Sequence, residues 1–228
     1  MQKNKAVIIL GTAHLATTPG KCSPDSRLKE YAYSRALVAD IKVKLEAYGY
    51  HVMVDYEASQ PCSDMQAATV KEQQNKELSY RVKFVNAACK LFKAANCVYV
   101  SIHVNAAGNG GQWLNARGWS AYTSVGQTKA DTLAECLYKA AESNLKDYAK
   151  TFPATEKVQK PIRRDTTDGD SDMEAALYVL KHTECPAVLT ENMFMDNKTD
   201  TDWLLSEDGK HALARLHVEG IIKYIESV

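Results

Sequence analysis

Four side chains of this chain, His14, Glu30, His103 and Glu191, are of the types that hold a divalent metal and work a water molecule on it. Two imidazoles and one carboxylate suit zinc, because catalytic zinc commonly takes three protein ligands and keeps a fourth position for water. On this reading His14, Glu30 and His103 are the metal ligands and Glu191 is the catalytic base. Water on such a metal has its pKa lowered to ~7, and a carboxylate beside it can take the proton and pass it on. The four residues are far apart in sequence, so they make a site only if the fold gathers them.

The elements that must do so are legible as short apolar runs alternating with helical patterns. Residues 6–10 read as a buried strand broken at Gly11, with His14 three residues beyond. Residues 97–103 read as a strand that closes on His103, and residues 187–190 as one that Glu191 closes. Residues 51–56 and 118–123 supply two further strands. Helices are expected over about 30–48, with Leu37, Ile41, Leu45 and Tyr48 spaced by 4, 4 and 3 and Gly49 as C-cap. Others are expected over about 79–95, 128–148, 173–181 and 211–225. Residues 57–78 and 151–172 read as long loops. Strands separated by helices imply an α/β fold of one domain over residues 1–228: a twisted, mainly parallel sheet covered by helices on both faces. Such sheets place ligand sites at the carboxyl ends of their strands, which is where His14, His103 and Glu191 fall. Glu30 lies seven residues before Leu37, so it projects from the apolar face of its helix. A carboxylate there is costly unless paired, neutral or metal-bound, and its first-turn position favours an anion.

Each of these residues also has an ordinary reading. A lone strand-end histidine is more often a satisfied structural residue. Glu30 can be a surface ion-pair partner of Arg27, Lys29 or Arg35, and Glu191 can cap a turn. The coincidence of all four at one rim favours the metal. His51, His182, His211 and His217 look ordinary. Asn105 and Asn192 follow the rim residues and read chiefly as turn caps. Arg81 reads either as an anchor for substrate or a rim carboxylate, or as a solvated arginine.

Composition narrows the partners. Lys plus Arg and Asp plus Glu are 28 each, giving no net formal charge, so no basic field marks a nucleic-acid partner. No apolar run is long enough for a membrane helix, and the five apolar residues after Lys5 are too few for a signal sequence. The six cysteines form no C-x-x-C pair. Cys89 and Cys97 read as core, while Cys22 and Cys62 lie in loop-like segments and could be bridged.

The motifs resemble those of the zinc-dependent N-acetylmuramoyl-L-alanine amidases of the type-3 amidase family. The likeness includes Val7 to His14, the Glu30 that opens the first helix, and Arg81 with Asn86. It is strong at Ser101-Ile102-His103-Val104-Asn105-Ala106, which is similar to the family's S-I-H-x-N-A, and at Pro186-Ala187-Val188-Leu189-Thr190-Glu191, similar to P-A-V-L-x-E. The resemblance implies zinc on His14, Glu30 and His103, catalysis by Glu191, and hydrolysis of the amide between N-acetylmuramic acid and L-alanine of peptidoglycan. One departure is Ala13-His14-Leu15-Ala16, where the family has G-H-G-G. No separate wall-binding module is expected within residues 1–228. The setting expected is a phage-type lysin made in the cytoplasm, or a secreted bacterial enzyme whose leader has been removed. Competing functions are a zinc metallopeptidase or amidase on another peptide, and a non-catalytic wall-binding domain of the same fold.

Overall fold

The computed structural model describes residues 1–156 and 158–228. Six strands form one sheet: β1 (Val7–Thr12), β2 (His51–Val54), β3 (Cys97–Asn105), β4 (Ser120–Thr123), β5 (Met173–Glu174) and β6 (Ala187–Phe194). Their order is β2-β1-β3-β6-β4-β5. All neighbours run parallel except β4 and β6, which are antiparallel. The α/β reading with a mainly parallel sheet therefore holds.

Seven α-helices accompany the sheet among the described residues: α1 (Glu30–Ala47), α2 (Val70–Phe92), α3 (Lys129–Asn144), α4 (Lys146–Ala149), α5 (Tyr178–His182), α6 (Lys198–Leu205) and α7 (Glu207–Ser227). The central strands are apolar on both sides because both faces are covered. Ile8, Leu10, Val98, Val100, Ile102 and Val188 point into a large core shared with α1, α3 and α7. The alternate residues Val7, Ile9, Cys97, Tyr99, Ala187 and Leu189 point into a smaller core shared with α2 and α5. Burying each such aliphatic side chain contributes roughly 1.5–3 kcal/mol. The asymmetry matters for function. The second face is roofed partly by α5, a helix of 5 residues, and the sheet surface near the carboxyl ends of its strands stays open to a cleft.

Several element boundaries differ from the sequence reading. Helix α2 starts at Val70, so the second half of the expected 57–78 loop is helical. Thr69 caps it by accepting from the Glu72 backbone N–H, a T-x-x-E start signal obscured by the polar residues that follow. Residues 173–181 are not one helix: Met173–Glu174 extend the sheet beside β4, and α5 begins only at Tyr178. The helix expected over 128–148 is divided at Leu145 into α3 and α4. Helix α6 was not foreseen, and α7 begins at Glu207, capped by Ser206. Of the expected 151–172 loop, residue 157 lies outside the described residues. Residues 161–163 of it run beside the start of β4 through Trp119 N–H to Pro161 O and Arg163 N–H to Trp119 O. Cys22 and Cys62 are both free thiols. No helix among the described residues is long and apolar enough to cross a membrane.

Candidate metal centre

His14 stands two residues beyond β1, in the left-handed backbone region with φ 43°. Histidine tolerates this better than bulky branched residues do, and neighbouring side chains hold the turn in place. The Ala13 N–H donates to Ser34 Oγ, which itself donates to Ile102 O on β3. Arg35 donates to Ala13 O, and Leu15 N–H donates to Thr18 Oγ1. Side chains from α1 and the loop thus fix a segment where the family pattern uses glycines.

Glu30 opens α1 and is 1% exposed. Its backbone N–H donates to Lys21 O. Its Oε1 accepts from the Val104 N–H and lies 3.1 Å from His103 Nδ1, while Oε2 lies 3.4 Å from His14 Nε2. The surface ion-pair reading of Glu30 is therefore overturned: Arg27 pairs with Asp25 and Asp202, and Arg35 donates to backbone carbonyls. The apolar stripe of α1 (Tyr33, Leu37, Val38, Ile41 and Leu45 are all buried) is what carries Glu30 inward.

His103 and Glu191 sit within strands rather than at their ends. They are paired in register on β3 and β6, so both project from the thinly roofed face. The ladder shifts directly after them, with Asn105 opposite Phe194. One extra residue has entered β6, and Met193 takes φ 61°. This is a bulge, which ends regular pairing and aims the preceding side chain. Ser101, two residues before His103 on the same face, places Oγ 3.2 Å from His103 Nε2. A proton on Nε2, directed at Ser101, is the tautomer that would free Nδ1 for a metal beside Glu30, whereas a proton on Nδ1 makes the hydrogen bond to Glu30.

His14, Glu30 and His103 offer ligand atoms that all lie within 4.8 Å of one another, and the two imidazoles meet edge to face at 5.2 Å. Burial pushes His14 down to about 3, despite the opposing pull of Glu30, so its imidazole is neutral at ordinary pH with a lone pair to donate. Burial works against ionisation of Glu30, but the His103 hydrogen bond and both imidazoles outweigh it and hold the carboxyl below its usual range. Burial, then the Glu30 charge, push the Glu191 carboxyl well above its usual range. Both Glu30 Oε2 and Glu191 Oε2 are buried without a hydrogen-bond partner. Two orphaned carboxylate oxygens and a neutral imidazole at one spot fit a divalent cation, since each is costly unless something positive meets it. Glu191 caps no turn. With His14 and His103 it lines a cleft of about 400 Å³ that Lys21, Arg81 and Tyr178 also line, and the Glu30 charge acts on it.

The remaining candidates resolve individually. Arg81 is not solvated: it is 3% exposed, at 2.6 Å from Asp55 Oδ1 and 2.9 Å from Glu77 Oε1, and it also donates to Thr12 Oγ1. Asn192 is no turn cap but a buried tie that donates to His103 O and accepts from Trp119 Nε1. Asn105 does act locally, accepting from Ala106 N–H. His217 is fully buried between Thr190 Oγ1 and Leu213 O. The sequence reading missed Ser101, Asp55, Glu77 and Lys21. Asp55 had a signal, because it follows the carboxyl end of β2 as His14 follows that of β1. Lys21 had none.

A sequence model of the family described as N-acetylmuramoyl-L-alanine amidase matches residues 8–223. An endolysin of Bacillus phage SPP1 is 29% identical over 145 residues, which are 63% of this chain and 45% of that protein, so the match spans less than half of the relative's length. Among solved structures, the CwlD amidase from Clostridioides difficile in complex with the GerS lipoprotein superposes with a TM-score of 0.71 at 20% identity, covering 98% of this chain and 100% of that one. The catalytic domain of CwlV from Bacillus (Paenibacillus) polymyxa gives 0.68 at 19%, covering 97% and 98%. The catalytic domain of the CD27L endolysin targeting Clostridia Difficile gives 0.60 at 21%, covering 96% and 97%. At these identities the superpositions speak to the fold.

Proposed function

Because the chain belongs to the N-acetylmuramoyl-L-alanine amidase family, we propose that it hydrolyses the amide joining the lactyl carbonyl of N-acetylmuramic acid to L-alanine in peptidoglycan. Zinc is held by His14, Glu30 and His103 in this reading, and Glu191 is the catalytic residue. The observation that carries it is the meeting of those three ligand atoms within 4.8 Å at a cleft that Glu191, with a buried, unpartnered Oε2, also lines. When bound, zinc supplies Lewis acidity that acidifies water and stabilises negative charge developing on the carbonyl oxygen.

The chain's own groups do the rest. Glu191, held protonated by burial and the Glu30 charge, would be ionised once a cation on the three ligands offsets that charge; it then takes a proton from the attacking water on Oε2 and delivers it to the leaving nitrogen of L-alanine. Ser101 Oγ and the Val104 N–H orient His103 and Glu30 from outside the ligand set, the kind of support that fixes ring orientation and ligand basicity. Leu177, Val179 and Leu189 give the cleft an apolar wall, which strengthens each electrostatic contact inside it. Residues 1–228 are taken as one catalytic unit. The likeness to a phage endolysin supports action on the cell wall as a lysin.

The test is digestion of purified muropeptides with zinc-loaded protein, with mass spectrometry of the fragments. A new free amine on L-alanine is expected, lost in Glu191→Gln. Cleavage at a peptide bond further along the stem would instead identify a metallopeptidase.

A further inference from the structure

Lys21 is a charge that the proposed reaction leaves unused. Its backbone is firmly placed: its carbonyl accepts the Glu30 N–H at 3.0 Å, and the next residue, Cys22, bridges to Lys29. Gly110 packs so tightly against this segment that a Cβ on it would meet Cys22 O at 3.0 Å and Gly20 O at 3.2 Å. The half-buried side chain therefore leaves a rigid base beside the first turn of α1 and lines the cleft with His14, His103 and Glu191. Among the described residues no carboxylate forms an ion pair with its ammonium. Its charge nonetheless reaches the centre, where it favours the ionised forms of Glu30 and Glu191 and disfavours protonated His14. Arg81, the other cation on the cleft wall, is committed to Asp55 and Glu77. An ammonium that faces a reaction cleft without a partner is set to receive an anion from the ligand.

The chemistry of the substrate says where that anion lies. The acyl side of the scissile amide carries ether, hydroxyl and acetamido groups, none of them charged. On the amine side, the carboxyl of L-alanine is tied up in the next amide. The first free carboxyl is the α-carboxyl of the second stem residue, a glutamate extended through its side chain. It lies roughly 5–7 Å from the scissile nitrogen, a little more than the ~3.6 Å span of one residue. Resting on the amidase reading above, we infer that Lys21 binds this α-carboxylate and so selects stems that keep it over stems in which it is amidated.

The probes are N-acetylmuramoyl-L-alanyl-D-glutamate and its α-carboxamide counterpart, N-acetylmuramoyl-L-alanyl-D-isoglutamine, given to the zinc-loaded full chain. A hydrogen-bonded charge pair of this kind predicts a ratio of kcat/KM of about 10–100 in favour of the carboxylate. Lys21→Met is expected to bring the ratio to within about threefold of one, and Lys21→Arg to keep it near ten or above. The same ranking is read without turnover by calorimetric titration of Glu191→Gln protein with both compounds, with and without Lys21→Met. A ratio near one in the unmodified protein, or one unchanged in Lys21→Met, overturns the assignment. If neither compound is cleaved but the Glu191→Gln protein prefers the carboxylate and loses that preference with Lys21→Met, the role of Lys21 stands and the amidase reading falls.

Discussion

Replacing Arg81 by Met should cost about 3–5 kcal/mol of stability and weaken the metal centre at a distance. The guanidinium joins three elements: it lies 2.6 Å from Asp55 after β2, 2.9 Å from Glu77 on α2, and 3.1 Å from Thr12 Oγ1 at the end of β1. Burial works against its charge, and Asp55 and Glu77 outweigh that effect. Removing it strands two buried carboxylates, the situation in which breaking a buried pair typically costs 3–5 kcal/mol. The two are not stranded equally. Asp55 keeps the Tyr99 O–H on Oδ2 at 2.9 Å and the Thr12 N–H on Oδ1 at 3.0 Å, whereas both nitrogens that reach Glu77 Oε1 belong to Arg81. The Tyr99 contact also explains Gly11, because a Cβ there would collide with the Tyr99 hydroxyl. For a chain of this size each kcal/mol lowers Tm by roughly 2–4 °C, so a fall of about 6–20 °C is expected. The assay is urea unfolding of zinc-free protein, followed by far-UV circular dichroism, with m-values compared to confirm a common transition. Arg81→Met with Glu77→Gln should cost less than the two singles added, by about 0.5–3 kcal/mol. A loss under about 1 kcal/mol in Arg81→Met, or strict additivity in the pair, would refute the view that this ion cluster clamps the strand leading to His14.

Three further outcomes are expected. Glu191→Gln should retain zinc, measured by atomic emission, while kcat falls by about 10²–10⁴, the usual contribution of a positioned proton-transfer group. Glu30→Gln should abolish the zinc-dependent rise in Tm, which in the parent protein corresponds to about 2.7 kcal/mol at a hundredfold excess of metal over its Kd; an undiminished rise would remove Glu30 from the ligand set. His217 gives a pH test away from the cleft. Burial lowers it from 6.5 to about 4, so between these values the unfolded chain binds more protons than the folded one. Its contribution is therefore fully present above pH 6.5 and lost as pH falls toward 4, by roughly 3 kcal/mol in total. His217→Gln should flatten that part of the stability curve, and an equal slope in both proteins would show that other groups set it.

Much of the centre was legible because it obeys two simple periodicities. The buried runs in β1, β3 and β6 announced strands, and polar residues toward or just beyond the carboxyl ends of those runs had to face a common rim. The 3.6-residue period of α1 put Glu30 on the stripe of Leu37, Ile41 and Leu45. The helical first half of α2 was missed for a physical reason. Residues 71–76 are Lys, Glu, Gln, Gln, Asn and Lys, with no apolar face to register, and the cap at Thr69 and the packing of the later turns hold that end in place. The partners of Arg81 were hidden too, since Asp55 and Glu77 are 22 residues apart and only the fold brings them to one guanidinium.

The placement of Glu191 shows where sequence periodicity stops being informative. In a regular strand, Glu191 and Met193 would share a face, but here the extra residue at Met193 returns that side chain to the large core. Thr190 and Asn192 also face that core and are fully buried. There Thr190 meets His217 Nε2, while Asn192 donates to Thr190 Oγ1 and to the carbonyl of His103 and receives the Trp119 N–H. These bonds satisfy backbone and side-chain groups that the interrupted ladder would leave unpaired, a cost of about 1–3 kcal/mol for each buried group otherwise. They also tie β6 to β3 at His103 itself. Half-buried Glu191 can keep a buried, unpartnered Oε2 because the residues on either side of it, pointing the opposite way, are over-determined by polar contacts. The local strain and the uncompensated carboxyl at the centre are thus carried by a satisfied network one sheet-thickness away.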